Sequence, residues 1–289
     1  MDMDPNAIAL PTDAERGWRY LKSARDEDIP LLWASLLIAR DEYAELDVVA
    51  VSDSVQVWCD SLRSSLSELA HPVQMVHALN RFVFEEQGFA GNNDDYYDPR
   101  NSYLNEVISR KLGNPISLGI VQLEMARRLG LPMRGVSFPG HFLLRFPVDD
   151  GLLILDPYHR GRSLDISELK TRASSHVPGR RVGDEQLGRM LEPAPNRVIL
   201  MRMLRNLKQL YIEREDFERA LRCADRLVFL DEGDTDELRD RGRLYWCVGH
   251  VAAAREDFSH YLARARQASD ADQVRQWLIE LGSERRRLN

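Results

Sequence analysis

The chain has 289 residues, 44% of them hydrophobic, and a formal net charge of −7, enough length for one large or two ordinary domains; two are expected. The first 100 residues hold 8 basic against 19 acidic side chains, a balance that opposes phosphate-backbone binding, so no nucleic-acid partner is expected. No run of 18 apolar residues occurs, and the opening MDMDPNAIAL is acidic where a signal peptide needs a basic n-region; a cytoplasmic protein with no membrane partner is expected.

Residues 14–91 read as amphipathic helices with apolar positions three and four apart. One covers Pro30 to Ala39, after an acidic Asp26-Glu27-Asp28 whose charges suit a helix N-terminus. Others run from Ser54 to about Leu69 and from Pro72 to Glu86, the last stopped by Gly88-Phe89-Ala90-Gly91. Asp98-Pro99-Arg100-Asn101 makes a turn, and Ser102 begins a helix ending at Gly113. Asn114 then reads as an N-cap and Pro115 as the first residue of a helix to about Arg128.

Beyond it the period changes to that of strands, with Gly135–Phe138, His141–Phe146 and Leu152–Asp156, the last two joined by a turn at Asp149-Asp150-Gly151. One strand starts and the other ends at the same edge, which brings His141 beside Asp156. A short helix follows Ser163-Leu164-Asp165-Ile166, and Glu192-Pro193-Ala194-Pro195 reads as a linker. The expected domains are therefore 1–195 and 196–289.

In the second of these, Tyr211, Asp216-Phe217 and Ala220 recur 34 residues later as Tyr245, His250-Val251 and Ala254, with Gly242 and Phe258 also in pattern. That period belongs to tetratricopeptide-like helix–turn–helix repeats, in which small residues allow close helix contact. Asp270 to Leu281 is expected as a capping helix. The first helix of each pair lines the concave face, placing Arg205, Lys208, Gln209, Arg239 and Arg243 where an acidic segment of a protein or peptide partner, or of the chain's own N-terminal part, could dock. A solvated face is the plainer reading for any one of them.

The stretch 111–160 orders its elements as a Cys-His-Asp acyl-transfer site does: a helix start, a strand entering on His and a strand closing on Asp. There a thiol at a helix N-terminus is the nucleophile, His the base and Asp its orienter. The pattern Gly113, Pro115, Gly119, Leu129-Gly130-Leu131-Pro132, His141 and Asp156 resembles the transglutaminase-like superfamily, with Pro115 standing where the family has its Cys and Gly119 where it has Ala. Asn101-Ser102-Tyr103-Leu104, Gly113–Leu118 and Phe138–Phe142 resemble more closely the SirB-type bacterial proteins. The resemblance implies an α+β fold: a mostly helical transglutaminase-like (papain-like) domain with a small antiparallel sheet, followed by an all-α helical-repeat domain in a regulatory setting.

Pro115 has no nucleophile, so a non-catalytic protein is expected. The alternative is a hydrolase or acyltransferase using Ser117, or a water activated by His141 and Asp156. Ser117 lies two residues past Pro115, turned about 200° around the helix, and as a hydroxyl needs an aligned base. His141 and Asp156 are expected to hydrogen-bond, as base and orienter or as a retained structural pair. Asn101, Asn114 and Tyr158 line the same edge; Tyr158 is expected to pack, and His159 to face solvent. Cys59, Cys223 and Cys247 have no helix-start context and read as reduced structural thiols. His71 and His77 are six apart, and Asn92-Asn93-Asp94-Asp95 lacks a calcium loop's Gly and Glu, so no metal is expected; neither is any other cofactor, since no phosphate-binding Gly-rich loop occurs.

Overall fold

The computed structural model describes residues 10–11, 13–69, 71–149, 151–176 and 182–287. The chain divides into two units, residues 1–200 and 201–289.

The first unit opens with four helices, α1 (Ala14–Ser23), α2 (Leu31–Arg40), α3 (Val48–Ser67) and α4 (Pro72–Arg81). Side chains of Asp13, Asp47 and His71 accept the first free N–H groups of α1, α3 and α4, satisfying donors that a helix start leaves open. Helix α2 is buried from Leu31 through Ala39, as its unbroken apolar run requires. The acidic Asp26-Glu27-Asp28 forms its own short 3-10 turn. Asp26 serves a different helix from the one expected: its carboxylate accepts the backbone N–H groups of Asn196 and Arg197 at 2.8 Å each. Helix α4 continues as one π-helical turn, Phe82–Glu86, so a register shift divides what the sequence suggests as one helix.

Strand β1 (Ala90–Gly91) pairs in parallel with β2 (Leu112–Gly113), on either side of α5 (Leu104–Arg110). The sequence does not reveal this two-residue ladder, and it shortens the helix expected over 102–113: Lys111 turns left-handed at φ 62° and feeds β2. Helix α6 (Pro115–Arg128) follows at once and is buried from Ile116 to Ala126.

An antiparallel sheet then runs in chain order, β3 (Arg134–Val136), β4 (Leu143–Val148), β5 (Gly151–Asp156) and β6 (Arg162–Ser163). The expected hairpin is present, with Val148 paired to Gly151 and Leu144 to Leu155. Helices α7 (Ile166–Ser174) and α8 (Asp184–Met190) cover one side, closing a core of Val136, Phe138, Leu143, Ile154, Leu164, Leu169 and Leu187. Helix α6 packs close to β4 because position 119 is Gly: a Cβ there would lie 2.5 Å from the ring of Phe142.

Helix α9 (Asn196–Glu213) leads into the second unit, which continues with α10 (Phe217–Leu230), α11 (Thr235–Cys247), α12 (Val251–Arg264) and α13 (Ala271–Arg287). The 34-residue period is visible in the backbone. Asp216 N–H bonds the carbonyl of Tyr211 and His250 N–H that of Tyr245; Asp231 bonds Leu227 and Ala265 bonds Tyr261. Glu215 and Gly249, again 34 apart, both turn left-handed at φ 58° and 81°, the helix ending that a 6→1 bond produces. Ala220 and Ala254 are fully buried. Gly242 lies so close to Phe258 that a Cβ would stand 2.7 Å from its ring. Helix α13 runs six residues past the expected capping helix.

Candidate functional site

The start of α6 occupies the nucleophile's place, and it is closed. Asn114 is the N-cap and Pro115 the first helical residue; Asn114 Oδ1 accepts from the N–H groups of Ile116 and Ser117 at 3.0 Å each. Ser117 returns the bond as a capping box, its Oγ accepting from Asn114 N–H at 3.0 Å and donating to the Asn101 carbonyl at 2.6 Å. Leu118 N–H bonds the Asn114 carbonyl, and Pro115 has no N–H, so the first turn offers no open donor. Ser117 is 1% exposed, and no bond joins its Oγ to His141 among the described residues. The nucleophile candidate is thus a capping residue.

Asn101 and Asn114 also belong to this scaffold. Asn101, 1% exposed, accepts from Asn92 Nδ2 at 3.0 Å and donates to the carbonyls of Asp95 and Tyr96 at 2.8 and 3.2 Å. Asn114 Nδ2 donates to Ser102 Oγ at 2.9 Å.

His141 leaves a Phe138-Pro139-Gly140-His141 turn, with Gly140 at φ 67° and His141 N–H bonded to the Phe138 carbonyl at 3.0 Å. These are the glycine position and the bond of a type II turn. The imidazole is half-buried. Burial, then the Arg172 charge, push its pKa below the ordinary histidine range against the pull of Asp156, and so favour the neutral ring.

The expected hydrogen bond between His141 and Asp156 is not made. Leu144 pairs with Leu155, which puts Leu143 opposite Asp156 and His141 two residues farther on, past the end of the ladder. The carboxylate is filled by nearer groups instead. Asp156 Oδ2 accepts from His159 Nδ1 and from the Arg172 guanidinium, both at 2.8 Å. Oδ1 accepts from the backbone N–H groups of Tyr158 and His159 at 3.1 and 3.2 Å. Asp156 is 2% exposed; burial raises its pKa, but the bonds from Arg172 and His159 outweigh this and hold it below the usual carboxylate range. His159 is exposed, as expected, and it is also the histidine that Asp156 holds.

Sequence reasoning also missed Arg172, on α7, which is 14% exposed and bridges Asp156 and Glu168. Its spacing from Asp156 matches no local motif. His176 stands beside His141, ring centroids 6.3 Å apart. Tyr158 packs as expected, its hydroxyl bonded to the Asn92 carbonyl and Asn93 Oδ1 at 3.2 and 3.0 Å. Among the described residues no group of three or more His, Cys, Asp or Glu side chains is placed to hold a metal ion. The Cys59 thiol is buried and pushed up to about 11, chiefly by that burial. Cys247 is exposed, unlike the buried structural thiol expected. A cleft of about 600 Å³ in this unit, lined by Tyr20, Ile29, Glu124, Met133 and Arg134 among others, includes neither His141 nor Asp156.

The profile of the Transglutaminase-like superfamily matches residues 50–205, and a Tetratricopeptide repeat profile matches 207–278. A UPF0162 protein of Xylella fastidiosa is 48% identical over 93% of this chain and 95% of its own. Protein SirB1 of Salmonella typhimurium is 25% identical over 83% and 88%. The chain belongs to the transglutaminase-like superfamily, in its SirB-type branch. A 138-residue stretch, 45% of this chain, is also 31% identical to 22% of F-box only protein 21 of Mus musculus. No solved structure matches.

Within this chain the transglutaminase-like residues are followed by the tetratricopeptide repeats, and there the expected partner-binding cations are placed as follows. Arg205 bonds Glu237 Oε1 at 2.6 Å and Asp234 Oδ2 at 2.8 Å. Lys208, 6% exposed, bonds Glu237 Oε2 at 2.5 Å and Asp240 Oδ2 at 2.9 Å. Arg239 bonds Asp236, Asp240 and Asp270. Carboxylates of the same unit therefore occupy the charges read as awaiting an acidic segment. Gln209 bonds Glu213 at 2.9 Å, and Arg243 lies over the Trp277 ring at 5.3 Å; both are exposed. Among the described residues no helix is long and apolar enough to cross a membrane.

Proposed function

We propose that this SirB-type protein is non-catalytic and binds a protein or peptide partner, residues 1–195 keeping the transglutaminase-like scaffold and 196–289 supplying the helical-repeat surface. The observation that carries the reading is the state of the two ends of the former reaction centre. The helix start is filled by Pro115 and a closed Asn114–Ser117 capping box, and the four acceptor positions of Asp156 are taken by His159, Arg172 and two backbone N–H groups. A nucleophile needs an aligned base, and a base needs an orienter; each link is diverted here. Tetratricopeptide repeats serve protein–protein contact, and Arg243 and Gln209 remain exposed on the first helices of the repeats.

One observation favours a second reading. The ring of His141 is half-buried, its neutral form is favoured by that burial, and it makes no hydrogen bond among the described residues, which suits a base acting on water. Both readings are separated by assaying the full chain with ordinary esters, glutamine amides and peptides, alongside Ser117→Ala and His141→Ala. No turnover above the protein-free blank is expected. Turnover lost in Ser117→Ala would overturn the non-catalytic reading, and turnover lost only in His141→Ala would establish activated water.

A further inference from the structure

An exposed aromatic ladder runs along the loop preceding α5. Tyr96 and Tyr97 are 46% and 61% exposed, and their rings meet edge-to-face at 5.2 Å. Tyr96 continues onto Tyr158 at 5.7 Å, and Tyr158 onto His159 at 5.5 Å. Four rings thus run along the surface to His159, which bonds Asp156.

The ladder is held from beneath. Asn101 Nδ2 binds the carbonyls of Asp95 and Tyr96, Asn92 Oδ1 accepts from Asp95 N–H at 3.1 Å, and Tyr158 ties down Asn92 and Asn93. Gly91 lets the Tyr158 ring lie against the backbone, since a Cβ would stand 2.5 Å from it. Tyrosines presented on a backbone already fixed give up little conformational entropy when a partner covers them, which is why such rings dominate binding surfaces.

Charge indicates what covers them. Asp98 in the same loop is buried and paired with Arg100 and Arg110 at 2.8 and 3.3 Å. Asp94 and Asp95 are exposed, and their carboxylates make no ion pair or hydrogen bond among the described residues. Ring faces beside unpaired carboxylates suit a Lys or Arg side chain, attracted by both. We propose that this ladder docks a partner segment bearing a Lys or Arg, its stem across Tyr96 and Tyr97 and its charge against Asp94 and Asp95. The inference rests on the partner-binding reading and names the chemistry of that partner.

The test is selection of a bead-displayed decapeptide library, with Lys, Arg, Gln and Glu equally represented, on the immobilised full chain. Lys- and Arg-bearing peptides are expected to be enriched. The tightest should bind the Tyr96→Ser/Tyr97→Ser variant at least tenfold more weakly. Asp94→Asn/Asp95→Asn should weaken it several-fold and flatten its salt dependence. The melting temperature of the aspartate variant should stay unchanged, and that of the tyrosine variant should fall by a few degrees, since it loses edge-to-face contacts worth about 0.5–1.5 kcal/mol each. Absence of Lys or Arg enrichment, or equal affinity for the tyrosine variant, overturns the proposal. Peptides that ignore the ladder but are lost in Arg243→Ala would overturn it while leaving partner binding through the repeats intact. Turnover in the acyl-transfer assay would refute the non-catalytic reading alone.

Discussion

Replacing Asp156 by Asn separates a carboxylate that orients His141 from one that fastens the fold. Asn keeps the shape and one carbonyl oxygen for the Tyr158 and His159 N–H groups, but loses the charge that holds Arg172 and His159 at 2.8 Å. Breaking one side of a buried ion pair costs about 3–5 kcal/mol. Arg172 retains Glu168 at 2.8 Å, so the lower end, about 3 kcal/mol, is expected. At roughly 2–4 °C per kcal/mol for a unit of this size, that lowers the melting temperature by roughly 6–12 °C. His141→Ala, which removes no hydrogen bond to Asp156, should cost about 1 kcal/mol or less. Differential scanning calorimetry and urea unfolding measure both. The wild type should also lose stability in acid: with the Asp156 pKa held below its ordinary 3.8, this contribution is complete above that value and fades as pH falls through the lower folded-state one. Asp156→Asn should flatten that acid limb. Equal destabilisation by His141→Ala would refute the reasoning, because Asp156 would then be acting through His141.

Ser117→Ala opens the capping box and leaves the Asn101 carbonyl one donor short, so urea unfolding should show a loss of about 1–2 kcal/mol. Gly242→Ala drives a methyl to within 2.7 Å of Phe258; overpacking of this kind costs about 1–3 kcal/mol, read by the melting temperature of the full chain. Glu237→Ala strands the buried Lys208 ammonium with Asp240 alone and should cost about 3 kcal/mol; double-mutant comparison with Lys208→Met, expected to recover part of the loss, checks it.

Legibility followed the range of the interaction that decides each element. The Asn114-Pro115 helix start, the hairpin between β4 and β5 and the 34-residue repeat all rest on residues close in sequence or on a fixed period, and all are read from the chain. Lys111 as a left-handed stop was not, since only the ladder between β1 and β2 makes that conformation worth its strain. The acidic Asp26 reads as serving the helix next to it, whereas its partners lie 170 and 171 residues away. At the site, the pattern brings His141 and Asp156 to one edge but does not rank two histidines and an arginine competing for one carboxylate. His159 wins through a turn of three residues, and Arg172 by being delivered on α7. The cations of the repeats differ from expectation for a related reason: the sequence shows Arg205, Lys208 and Arg239 as a face, but not the carboxylates that meet them, those of the next repeat for Arg205 and Lys208 and Asp236, Asp240 and Asp270 for Arg239.

The sealed start of α6 has a consequence for hydrogen exchange. Early amides of a helix ordinarily exchange fast, since they lack intrahelical acceptors and meet water. Here Asn114, Ile116, Ser117 and Leu118 each have an acceptor, and the segment is buried on both sides of Pro115. Their protons can leave only when the 92–101 loop lifts from the helix or the whole unit opens. In this protein the part of the fold that an acyl-transfer enzyme must keep accessible should be counted among its slowest-exchanging segments.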